Sequence, residues 1–251
     1  DSIQFFRYIP YLHELEITVI LEVQPSLIEL ISPIIDIEYI IPQGNPLPDF
    51  DYHCPLMSLP LALSDTLTHI PSSPRYLTSN HVKINLWNKQ LGTSDKFRIG
   101  IVWSGATSHR NDMNRSIPLE LFSLLIFQEL EYICLQKEIR ETDLNALVRL
   151  PQIRIFSSLL DDFTDTAALC DLVDLVICVD TSVAHLAAAL GKETWILLPF
   201  NPDWRWRLEV NHSEWYPSVR LFRQHTLGDW PTVLMEVRKA LFTRFGFVNY
   251  S

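Results

Sequence analysis

Apolar positions change period several times along the first part of the chain. Residues 2 to 14 carry them at helical spacing, and 17 to 23 form a β-branched run that Pro25 ends, which predicts helix and then strand. A second helix at 26 to 33 and a strand at 36 to 41 follow, with Pro42 and Gly44-Asn45-Pro46 making a loop. A short apolar segment at 54 to 61, a proline-rich stretch through Pro71, Pro74 and Tyr76, and a helix at 80 to 91 come next. The Gly92-Thr93-Ser94-Asp95 cluster reads as a hinge.

Beyond it the pattern is cleaner. Strands are expected at 98 to 103, 131 to 135, 153 to 156, 174 to 179 and 194 to 198, separated by helices at 118 to 127, 141 to 149, 165 to 172 and 181 to 190. Short apolar strands alternating with amphipathic helices imply parallel sheets covered on both faces. The expected fold is therefore α/β, with two Rossmann-like lobes, 1 to 93 and 94 to 251, whose parallel sheets face a central cleft.

The composition removes several alternatives. Thirty acidic residues against twenty basic ones give a net charge of −10, which disfavours generic attraction to nucleic acid or anionic lipid. An anionic ligand must then be held locally. The four cysteines show no CxxC spacing and read as free thiols of a reducing cytoplasm. No apolar run is long enough for a spanning helix, and the chain, which begins with neither Met nor a signal peptide, is expected to be a soluble fragment lacking upstream sequence. With seven glycines and neither GxGxxG nor GxxxxGK[ST], no dinucleotide fingerprint or P-loop is present.

Three segments can carry chemistry. In Asp180-Thr181-Ser182-Val-Ala-His185, ending at Gly191, a buried strand runs into a capped helix. The helix start offers free N–H groups and a positive dipole end to a phosphate, and His185 one turn in can reach the same ligand. A plain cap with a core histidine fits the spacing equally well. The polar loop from Trp103 to Pro118 holds Arg115, whose guanidinium fork suits a diphosphate, although a solvated loop with an incidental arginine has the same composition. Gln136-Lys137-Glu138 follows another strand and can meet a base or ribose, or be a surface charge cluster. Residues 199 to 224 interleave aromatics with arginines, which suits lobe packing or a sugar face, and suits single-stranded nucleic acid less in so acidic a chain.

Taken together, Asp1-Ser-Ile-Gln-Phe-Phe-Arg-Tyr-Ile-Pro, Leu21-Glu-Val-Gln-Pro, residues 50 to 60, Asn111 to Pro118, Asp165-Thr-Ala-Ala-Leu, Asp180 to Gly191 and Pro202-Asp-Trp-Arg-Trp resemble family 9, heptosyltransferase-like glycosyltransferases. The likeness is greatest to the domain that follows tetratricopeptide repeats in many bacterial proteins. The resemblance implies a GT-B architecture, a nucleotide diphosphate sugar held mainly by the C-terminal lobe, a hydroxyl acceptor on protein, lipid or glycan, inverting transfer, and no metal or other cofactor. It also implies a last helix packing back on the N-terminal lobe. Asp180, Thr181, Ser182 and His185 match the family's Asp-Thr-Gly/Ser-x-x-His donor motif, Arg115 stands at a basic phosphate contact, and Lys137 joins the donor set. Asp1 resembles the aspartate of a Gly-Asp motif proposed as general base, with the preceding glycine and strand absent here. The rival expectation is a non-catalytic nucleotide-sugar-binding or scaffold domain attached to repeats.

Overall fold

The computed structural model describes residues 1–33, 39–64, 70–71 and 73–246, so the first part of the strand expected at 36 to 41 lies outside the described residues. Two parallel sheets are present. The small one pairs β1 (Ile20–Val23) with β2 (Tyr39–Pro42). The large one holds β3 (Phe97–Val102), β4 (Leu130–Cys134), β5 (Ile153–Ile155), β6 (Leu175–Val179), β7 (Thr194–Leu198) and β8 (Val219–Arg223) in the order β5-β4-β3-β6-β7-β8. That is the doubly wound order, in which the connection reverses between β3 and β6 and leaves a crevice at their carboxyl ends. β6 and β7 are buried at every position, as parallel strands covered on both faces must be.

β8 was not among the expected strands, and the Arg-rich segment before it takes the packing alternative for most of its rings. The alternation Val-Arg-Leu-Phe-Arg makes an edge strand, with Arg220 lying over Trp195 and Phe222 at 5.6 and 4.6 Å. Trp206, Trp215 and Tyr216 are buried, and Arg223 donates to the backbone carbonyls of Trp206, Arg207 and Val210. Packing therefore accounts for most of these rings. The expected helix at 2 to 14 is divided into turns of different pitch, Ser2–Phe5, Phe6–Tyr8 and Ile9–Glu14. Cys134, Cys170 and Cys178 are buried and Cys54 is exposed, all with free thiols.

The resemblance implied a last helix packing back on the N-terminal lobe; among the described residues the main contacts of Trp230–Phe245 lie elsewhere. Its principal contacts are with Ser123–Leu125, Leu119–Phe122 and β8 of its own sheet layer, with Phe242 edge-on to Phe127 and Phe245 against Phe97. Its buried positions Val233, Leu234, Val237, Ala240 and Leu241 form a single stripe, and that stripe is consumed by the large sheet.

Two of the contacts between the N-terminal half and this sheet layer lie around residues 74 to 91. Tyr76 and Leu77 donate their backbone N–H groups to the Ala189 carbonyl at the end of helix Ser182–Ala189. The approach is close enough that a side chain on Gly191, whose φ is +72°, would collide with the Pro74 carbonyl. Helix His81–Leu91, capped by Asn80, packs on helix Phe163–Asp171 of the C-terminal half. There the buried Asp165 carboxylate accepts from Lys83 Nζ at 2.8 Å, Trp87 Nε1 at 2.9 Å and the Asp161 N–H at 3.1 Å.

Burial by itself would raise the Asp165 pKa, but the hydrogen bonds from Lys83, Trp87 and Asp161 outweigh it and the carboxyl is held below its ordinary value. A carboxylate depressed in the folded state adds stability that is present above about pH 4 and is lost as pH falls through the lowered native value. Asp165→Ala leaves the buried Trp87 indole and the partly buried Asp161 N–H without their acceptor. It is expected to cost about 3 kcal/mol at neutral pH and to flatten the acid limb of the stability profile, both measured by urea unfolding between pH 3 and 7.

Candidate functional site

A cavity of about 730 Å³ opens where β3, β4 and β6 end, at the reversal point of the large sheet. Its floor is apolar, from Val102, Leu135, Leu160, Phe163 and Val183. The loop after β3 contributes Ser104 to Ala106, Ser108 and His109, the loop after β4 contributes Gln136 to Glu138, and Thr181 and Ser182 close one side. Asp161, Asp162 and Thr166 add to a lining that is polar for the most part, with the apolar group confined to the floor.

The β6 strand delivers the chain to Asp180, and Thr181 takes the extended N-cap geometry before helix Ser182–Ala189. The expected side-chain cap is not made: the Thr181 hydroxyl is buried without a protein partner. The first-turn N–H groups of a helix have no intrahelical acceptor, and with Thr181, Ser182 and Val183 lining the cavity this positive end faces it.

Arg115 reaches the same place from the short helix Asp112–Arg115. Its Nη1 donates to the Asp180 carbonyl at 2.7 Å, and its Nε lies 3.6 Å from Asp112. The guanidinium packs so closely on Gly105 that a methyl group there would have to displace it. Asp112 is shared with Arg140, whose Nη2 donates to the Asp112 carboxylate at 2.5 Å, the Gly105 carbonyl at 2.8 Å and the Ser116 hydroxyl at 3.0 Å. One buried acid thus ties two arginines and both ends of the loop. Arg140 was not foreseen, because nothing local in the sequence couples it to Asp112, 28 positions earlier.

Gln136 is fully used in fixing the loops. It accepts from the Trp103 and Ser104 N–H groups at 2.7 and 3.2 Å and donates to the Ser104 hydroxyl and the Glu138 carbonyl. Lys137 and Glu138 are exposed at the cavity wall, with Lys137 Nζ donating to the Leu160 carbonyl.

The seven residues singled out from sequence fall into two groups. Arg115, Lys137, Thr181 and Ser182 line the cavity. Asp180, His185 and Asp1 are not among the residues that line it. The His185 ring turns away into a packed aromatic group, stacked on Trp206 at 5.3 Å with Nδ1 2.9 Å from the Tyr216 hydroxyl. Burial, with positive charges beside it that include Arg205 and Arg7, holds its pKa well below the usual imidazole value, so the ring is neutral at physiological pH.

Burial likewise raises the Asp180 carboxyl pKa, opposed by the Trp206 indole and by Arg115 and Arg205. Arg205 is the hub of this second group. It pairs with the half-exposed Asp1 carboxylate, lies 2.9 Å from Asp203, donates to Gln4 Oε1 at 2.5 Å and sits over the Trp204 ring at 5.2 Å. Among the described residues no group of three or more metal-ligating side chains comes together, and no helix is long and apolar enough to cross a membrane.

Residues 154–197, which include β6, the helix start and His185, match the family model for glycosyltransferase family 9 (heptosyltransferase). Protein FlbA of Caulobacter vibrioides is 27% identical over 203 residues, covering 76% of this chain and 33% of FlbA, so the chain spans about a third of that relative's length. Among solved structures, the E. coli ADP-heptose LPS heptosyltransferase II aligns at a TM-score of 0.47 and 16% identity, over 68% of this chain and 54% of that one. The segment that carries the cavity's helix start is thus similar in sequence to family 9 glycosyltransferases.

Proposed function

We propose that the chain is a family 9-like glycosyltransferase domain of GT-B type that binds a nucleotide diphosphate sugar in the 730 Å³ cavity and transfers the sugar, with inversion, to a hydroxyl acceptor. The observation that carries this reading is the convergence of Arg115, Lys137 and the free helix start of Thr181 and Ser182 on one cavity, whose lining also includes an apolar group and the carboxylates of Glu138, Asp161 and Asp162. The family 9 match over the same segment supports it. The apolar floor takes the base, and the diphosphate meets fixed positive charge at the helix end. That charge suits a departing diphosphate without a divalent metal. Asp1, on the far side of the helix start, is the base in this scheme, removing the acceptor proton as the new bond forms.

A second reading has its own support. The Asp1 carboxylate is held by Arg205, and a carboxylate paired with a guanidinium is a weaker base. A domain that binds a sugar nucleotide without transferring it, within a longer protein that can include tetratricopeptide repeats, would keep the cavity and leave Asp1 in that pair.

Titration calorimetry against UDP-, GDP-, ADP- and dTDP-sugars tests the cavity. One of the panel is expected to bind equally well in EDTA. Arg115→Ala and Lys137→Ala are each expected to weaken it by roughly 1–3 kcal/mol, the scale of a charge-assisted hydrogen bond. Full affinity in both folded variants, or binding that requires magnesium or manganese, would overturn the assignment.

Transfer separates the two readings. Asp1→Asn in the full-length protein is expected to leave nucleotide affinity nearly unchanged and to cut sugar transfer to acceptors in a cell extract by about 100-fold. Binding without transfer by the wild type decides for the non-catalytic reading.

A further inference from the structure

A second hollow lies at the opposite end of the large sheet from the cavity. It encloses about 300 Å³ between the amino-terminal ends of β7 and β8 and the last turns of helix Trp230–Phe245, and its walls include Glu193, Trp195, Ser218, Arg220, Ala240 and Arg244. Trp195 and Arg220 are register partners on the two strands, and the Arg220 guanidinium lies 5.6 Å from the Trp195 ring centre and 4.6 Å from that of Phe222. Among the described residues no carboxylate or carbonyl accepts a hydrogen bond from it. An arginine ordered by two rings, with its N–H groups unused, has little side-chain freedom left to lose when an oxyanion docks. The acid in the lining, Glu193, is already matched: Oε1 accepts from Trp195 Nε1 at 3.2 Å and Oε2 from Arg244 Nε at 3.1 Å. The hollow is therefore left with the positive charge of Arg220. Ser218 adds a hydroxyl that is buried with no protein partner, an unmet donor of the kind a ligand oxygen satisfies.

We propose that this hollow is a binding site for a phosphate group, free or as the monoester of a small molecule, separate from the sugar-nucleotide cavity. Arg220 offers its planar fork to two oxygens, and the Ser218 hydroxyl and the N–H groups that Arg244 does not give to Glu193 supply donors from other walls. A tetrahedral oxyanion uses donors on several sides more fully than a planar carboxylate does. A neutral sugar has no charge to offer Arg220. The volume is at the lower end of ligand pockets, with room for a phosphorylated monosaccharide against the Trp195 and Ala240 walls but not for a whole nucleotide sugar. The site stands whether or not the larger cavity transfers a sugar, because the two lie at opposite ends of the strands.

The Trp195 indole N–H, bonded to Glu193 in the wall, reports occupancy as a ¹H–¹⁵N resonance of tryptophan-labelled full-length protein, identified by its loss in Trp195→Phe. Glucose 1-phosphate and inorganic phosphate are each expected to shift that resonance saturably below about 10 mM, and glucose is not. Tighter binding of the ester shows that the apolar wall belongs to the site, and equal binding that the oxyanion alone is held. Arg220→Ala is expected to weaken binding roughly 10-fold or more, and Arg220→Lys, which keeps the charge and loses the fork, about 3-fold. Glu193→Gln, which releases Arg244 while keeping an acceptor for Trp195, is expected to tighten it about 3-fold. Arg220→Ala is expected to leave sugar-nucleotide affinity in the calorimetric panel unchanged, so the two sites fail separately. No shift with either phosphate, the same shift with glucose, or undiminished binding in the folded Arg220 variants overturns the proposal. If Arg220→Ala does not fold, Arg220→Lys and Glu193→Gln decide, and affinity unchanged in both overturns it.

Discussion

A single buried arginine joins the two halves of this molecule. Arg7 is 4% exposed, and among the described residues no carboxylate pairs with it. Its charge is met by the carbonyls of Gln4, Trp215 and Pro71 at 2.9, 2.6 and 3.3 Å, and by the faces of Tyr76, Tyr216 and Trp215. Desolvating a guanidinium is costly, and carbonyl dipoles with aromatic quadrupoles offset that cost only where all of them are in place. The N-terminal helical segment, the stretch at Tyr76 and the loop carrying Trp215 and Tyr216 must therefore meet around one side chain. The neighbours of these three segments are placed by the same meeting. Phe5 lies edge-on to Trp215, His185 is bound by Tyr216, and Arg205 is brought to Gln4 and Asp1.

The start of helix Ser182–Ala189 divides the cleft in two. One side is the cavity, where Arg115 and the first-turn N–H groups supply positive charge. The other holds three carboxyls, Asp1, Asp180 and Asp203, arranged about Arg205. Opposite electrostatics on the two faces of one helix end suit a molecule with an anionic tail on one side and a hydroxyl to be activated on the other. The net charge of −10 makes the local arrangement matter more, since an anion gains nothing from the protein's overall field. The buried Asp112 serves the same end indirectly. By pairing with both Arg140 and Arg115 it keeps two cations ordered beside the cavity with one acid between them.

Much of the large sheet was legible in the residues themselves. Strands such as Leu-Val-Ile-Cys-Val and Thr-Trp-Ile-Leu-Leu are continuously apolar because both their faces are covered, and Asp-Thr-Ser followed by an alanine-rich helical run marks a strand-to-helix turn whatever lies around it. These are local signals, and they located β3 to β7 and placed Arg115, Lys137, Thr181 and Ser182 at the carboxyl ends where the cavity lies. β8 was obscured because an edge strand interrupted by Arg220 and ended by Arg223 lacks that continuous run.

Which way His185 faces could not be read from its spacing, because a residue one turn into a helix is equally able to meet a ligand or a neighbouring layer. The choice was made by Trp206 and Tyr216, whose rings fill the space beside it. The same holds for the pairing of Asp1 with Arg205, 204 positions apart, for the shared Asp112, and for the last helix, whose apolar stripe suited either half of the molecule and was taken by the large sheet. Sequence by itself determined the period of each segment and the kinds of side chain delivered to each strand end, since those follow from local sterics and apolar spacing. Only the tertiary structure decided which of those side chains share a space, because contacts between distant segments are set by how whole faces pack and by where a buried charge such as Arg7 finds its partners.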